Sequence, residues 1–81
     1  MLLDVRCTAG KVQITEEKLL QVVRGKHVFW SVPVSTILRM EQKSGALFIH
    51  ATFISRVGNY TVDVSRKDFT ELQRVLAPLL S

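Results

Sequence analysis

The chain has 81 residues, 47% of them hydrophobic, with eleven Lys and Arg against seven Asp and Glu for a net charge of +4. That length excludes a second domain with its own core, and the apolar content excludes an intrinsically disordered chain, so residues 1–81 are expected to form one domain. The lone cysteine, Cys7, excludes an internal disulfide framework, no apolar run approaches the ~20 residues of a membrane-spanning helix, and Asp4 stands where a secretory leader would be basic; the expected compartment is the reducing cytoplasm.

Alternating apolar and polar residues over Leu3-Asp4-Val5-Arg6-Cys7 predict a half-buried strand at about residues 2–8, ended by Thr8-Ala9-Gly10. Val12 and Ile14 carry the period into a second strand at about 11–15. Past the solvated Glu16-Glu17 pair, a third strand at about 18–24 holds Leu19, Leu20, Val22 and Val23. Arg24-Gly25-Lys26 reads as a hairpin turn into a fourth strand at about 27–34, where Val28, Trp30 and Val32 share one face and Phe29 lies on the other. Pro33 has no amide hydrogen to donate, which places this strand at an edge or a bend. Ile37 to Glu41 resume the alternation in a fifth strand, about 36–42, closed by Lys43-Ser44-Gly45.

The longest strand-like run follows, about 46–55, with Leu47, Ile49, Ala51 and Phe53 on one face and Phe48 and Ile54 on the other. After the turn Arg56-Val57-Gly58-Asn59, a seventh strand at about 59–65 aligns Tyr60, Val62 and Val64. The period then changes. Ser65 and Asp68 have the spacing of a capping box, and Phe69, Leu72, Val75, Leu76 and Leu79 form one apolar stripe, predicting a helix over about 66–77 that ends before Pro78. The expected class is mainly β: a small antiparallel barrel or sandwich of six or seven strands, closed by one C-terminal amphipathic helix.

Two segments carry a family resemblance. Ile14-Thr15-Glu16-Glu17-Lys18-Leu19-Leu20 resembles the strand, Thr-acid, strand opening of bacterial pleckstrin-homology-like (PH-like) domains, and Trp30-Ser31-Val32-Pro33-Val34-Ser35-Thr36-Ile37 resembles their hydrophobic-Pro-hydrophobic-Ser bend. The resemblance covers about Lys11 to Leu80 and implies a binding or scaffolding module with no shared catalytic apparatus. Lipid-binding members of that family use basic residues between the first two strands, where this chain has Thr8-Ala9-Gly10 and only Lys11 beside them.

No nucleophile with a base, paired carboxylates or ligand cluster stands at a usable spacing, so neither enzymatic activity nor a cofactor nor a metal is expected. His27 and His50 fall on separate strands, and Cys7 reads as a small core residue. Apolar side chains on both faces of the fourth and sixth strands make Phe29, Trp30, Phe48, His50 and Ile54 the candidate protein interface. The leading expectation is a module that self-associates as a homo-oligomer and holds a protein partner. The alternative is an anionic membrane surface held by Lys11, Arg24, Lys26 and His27, of which Arg24 to His27 otherwise read as a solvated hairpin turn. Single-stranded nucleic acid ranks below both, because Trp30, Phe53 and Tyr60 are not interleaved with basic residues.

Overall fold

The computed structural model describes residues 1–80. Seven strands are followed by one helix: β1 (Leu3–Cys7), β2 (Gly10–Ile14), β3 (Leu19–Arg24), β4 (His27–Pro33), β5 (Ile37–Ser44), β6 (Ile49–Ser55), β7 (Gly58–Val64) and α1 (Arg66–Leu80). A single 3-10 turn, Val34–Thr36, joins β4 to β5. All strand pairs are antiparallel, in a four-stranded sheet ordered β1-β2-β3-β4 and a three-stranded sheet ordered β5-β6-β7. The sheets are not closed into a barrel, so of the two closures expected the structure has the sandwich. At one corner the amide of Thr8 donates to the carbonyl of Asp63 at 3.1 Å, drawing the end of β1 to β7.

The two-residue period decides which side chains meet. Leu3, Val5, Val12, Ile14, Leu20, Val22 and Val32 of the first sheet face Ile49, Ala51, Phe53, Val62 and Val64 of the second, all buried in one core. Helix α1 lies over β1, β5 and β6 and contributes Phe69, Leu72 and Leu76 to that core, as its apolar stripe predicts. At its N-terminus Ser65 Oγ accepts from the amide of Asp68 at 3.2 Å and donates to the Asp68 carboxylate at 3.0 Å. The aspartate thus meets the capping hydroxyl, its side chain being shorter than the glutamate of a full capping box. On the solvent side, the Arg74 guanidinium bonds Glu71 and holds its carboxyl below the usual range.

The structure departs from the periodic reading at several places, β5 for one running on to Ser44 instead of ending near 42. The helix runs on to Leu80, not 77. Only two helical residues follow Pro78, so its cost falls on a terminal turn, while Leu79 and Leu80 gain contact with the core. Strand β6 starts at Ile49, not 46: the Gly45 amide donates to the Phe48 carbonyl at 2.8 Å, so Ala46, Leu47 and Phe48 belong to the turn closed by the Ser44–Ile49 pair. Leu47 is therefore 81% exposed instead of sharing the inner face. In β4 the register slips opposite Val22 and Val23, leaving Phe29 as the extra residue of a β-bulge, and Val28 is half-exposed where alternation alone would bury it.

Leu72→Ala is expected to lower stability by about 2–5 kcal/mol through the cavity it leaves, and Ser65→Ala by about 1 kcal/mol through the lost cap. Urea unfolding checks both: the midpoint should fall much further for Leu72→Ala, with slopes unchanged.

Candidate functional site

Two tight hairpins meet at one end of the four-stranded sheet. In the first, Cys7 pairs with Gly10 across Thr8-Ala9; in the second, Arg24 pairs with His27 across Gly25-Lys26. Gly25 has φ +61° at the first central position while Lys26 has an ordinary φ, the arrangement of a II′ turn, which matches the twist of the flanking strands. Gly10 has φ +149°, and a Cβ there would collide with the Val23 carbonyl oxygen of the neighbouring strand. Gly10 is thus needed for its backbone angle and for the closeness of β2 to β3.

That closeness shapes a shallow concavity of about 390 Å³, lined by Arg6, Lys11 and Arg24 with Gly10, Gln13, Val23 and Gly25. Register explains the gathering. Arg6 stands directly opposite Lys11, Lys11 opposite Val23, and Val23 opposite Val28, so one row crosses the outer face of the sheet. Val23 is only 8% exposed yet lies outside the main core, forming an apolar floor among cations. Like charges directly across an antiparallel pair oppose folding, and Arg6 with Lys11 is such a pair. Asp4 offsets part of that repulsion, its carboxylate 3.8 Å from the Lys11 ammonium, but no carboxylate lines the concavity itself.

Of the candidate anion-binding residues, Lys11 and Arg24 line the concavity, while Lys26 and His27 continue along the same hairpin. Arg6 escaped the sequence reading. The signal for it lay in the two-residue turn, which sets Arg6 against Lys11.

The candidate interface residues are spread over separate places. Phe29, at the β4 bulge, is 48% exposed and meets the His27 ring edge to face, 4.8 Å between centroids. Trp30 turns inward, stacking on Tyr60 at 4.7 Å and tilting against Phe53 at 6.2 Å, so it seals the core margin. Phe48, 41% exposed, lies beside a cavity of about 290 Å³ that it shares with Arg6, Cys7 and Thr8 at the first hairpin and with Asp63, Val64, Ser65 and Asp68. His50 and Ile54 lie on the outer face of the three-stranded sheet, whose register gives them polar neighbours: Lys43 and Asp63 flank His50, and Arg39 and Asn59 flank Ile54. His50 Nδ1 contacts the Asp63 carboxylate, and Thr52 and Thr61 share a hydrogen bond of 3.1 Å beside them. An apolar patch centred on His50 is therefore not what this face presents.

Among the described residues no three His, Cys, Asp or Glu side chains are grouped to hold a metal ion, and no helix is long and apolar enough to cross a membrane. Comparison with protein-family models, curated proteins and solved structures gives no match.

Gly10→Ala is expected to destabilise the protein far more than Gly25→Ala, because a Cβ at Gly25 meets nothing within 4 Å and pays only the cost of its backbone angle, about 1 kcal/mol. Thermal unfolding of the two variants checks the difference; equal losses would contradict the close approach of β2 to β3.

Proposed function

We propose that this chain is a PH-like, non-catalytic binding module that docks on anionic surfaces, a phospholipid leaflet above all, through the hairpin end of its four-stranded sheet. The observation that carries the reading is the convergence of Arg6, Lys11 and Arg24 on one concavity without a lining carboxylate. Four strands, then three, then a C-terminal helix support the PH-like assignment alongside the two resembling segments. Lys26 adds a further cation on the same hairpin, and the half-exposed Val28 and Phe29 beside it supply apolar surface suited to the headgroup boundary. Cations near an anionic leaflet contribute about 1 kcal/mol each, so the cluster has a use that offsets its repulsion.

Sedimentation with vesicles tests this. The protein is expected to pellet with phosphatidylcholine vesicles containing phosphatidylglycerol and to stay in solution with phosphatidylcholine alone. Arg24→Gln or Lys11→Gln should each weaken binding about fivefold, and added salt should release the protein. Binding indifferent to anionic lipid would refute the reading.

A second reading is self-association that holds a protein partner, with Phe48 as the anchor that remains of the expected set once Trp30 turns inward and Ile54 lies between Arg39 and Asn59. The exposed Leu47 and Phe48 in the β5–β6 turn favour it, since two adjacent large apolar residues there lie open to solvent. Light scattering over a range of concentrations should then give a dimer or larger species that Phe48→Asp dissociates; an unchanged size for the folded variant would remove Phe48 from any such interface.

A further inference from the structure

We infer that docking at the hairpin end is tuned by protons through His27, an inference that rests on the anionic-surface reading above. His27 opens β4 directly across from Arg24 and follows Lys26, and its exposed ring meets Phe29 edge to face. The charged groups next to it are cations, Arg24 across the strand pair and Lys26 in the turn, and Arg24 also lines the concavity that holds Lys11 and Arg6 of the neighbouring row. β3 is the strand paired to β4, and on the inner side Trp30 meets Phe53 and the phenol-bearing ring of Tyr60. Among the described residues no carboxylate forms an ion pair with His27. Asp4, on the outer face of β1, is engaged by Lys11 and Gln13. The ion-paired histidine is His50, against Asp63 on the other sheet.

A proton on His27 therefore adds a cation beside Arg24 and Lys26, with no ion-paired carboxylate among the described residues to offset it. An anionic surface supplies a counter-charge. Because coupling between two binding events is reciprocal, the surface favours the proton and the proton favours the surface by the same factor. Affinity for an anionic surface is therefore expected to rise as the pH falls and histidine gains its charge. Phe29 fits the same arrangement: an aromatic ring seated at the headgroup boundary carries the adjacent imidazole to the level of the phosphates.

Vesicle sedimentation of the full chain at about pH 7.5 and about pH 5.5 tests the inference. Phosphatidylglycerol is the anion, since its phosphodiester keeps its charge across that interval. Wild-type affinity is expected to be about fivefold higher at the lower pH, the effect of one added surface charge. His27→Gln should abolish that gain, its affinity being the same at both pH values. His27→Lys should bind at both pH values as the wild type does at the lower one, and His50→Gln should keep the wild-type dependence. A pH-independent wild type, or a dependence that survives in His27→Gln, overturns the role of His27 and leaves the anionic-surface reading standing. Failure to bind at either pH overturns both.

Discussion

Two open sheets of four and three strands leave a shared inner layer that neither can cover alone, and the stripe Phe69, Leu72 and Leu76 of α1 is what keeps water from its end. Each large apolar side chain buried there contributes about 1.5–3 kcal/mol, a sizeable share of the stability of so short a chain. Everything at the hairpin end depends on this packing. The hairpins stay at fixed spacing because their inward residues, Val5, Val12 and Val22, belong to the same core that the helix closes.

The basic concavity is a product of register more than of charge composition. The basic residues look scattered along the chain, as on an ordinary solvated surface, but antiparallel pairing folds Arg6 onto Lys11 and brings Arg24 to the same end. Placing like charges across a strand pair costs folding energy, so the pairing of Arg6 with Lys11 does not serve stability. The outer face of the second sheet shows the contrary pattern. His50 with Asp63, Arg39 with Glu41 and Thr52 with Thr61 satisfy one another, which suits a face turned to water.

Much of this architecture could be read from period alone. Alternation at Leu3 to Cys7 and at Tyr60 to Val64, and the three-and-four spacing of Phe69, Leu72 and Leu76, reflect burial that repeats with the geometry of the element. Lys11, Arg24, Lys26 and His27 were legible because they flank glycine turns. What could not be read was whatever depends on a second strand. Arg6 matters only through its partner Lys11, the outward Val28 only through a slip against Val22 and Val23, and the exposure of Leu47 only through a turn bond between Gly45 and Phe48. Apolar residues on both faces of the fourth strand point Trp30 to an interface, yet Tyr60 and Phe53 of the opposite sheet pack against it.

The bulge at Phe29 also bears on how this chain survives at high concentration. An edge strand such as β4, with no charged residue between His27 and Pro33, offers unpaired amides and carbonyls that another chain can copy into a growing ribbon. The bulge interrupts that template in its middle and Pro33 removes a donor at its end, so no long, flat stretch is left to copy. The irregularity that leaves the Phe29 ring half-exposed thus also spoils the strand as a seed for fibres, and a change that straightened β4 would put the protein at risk of aggregation before it altered its fold.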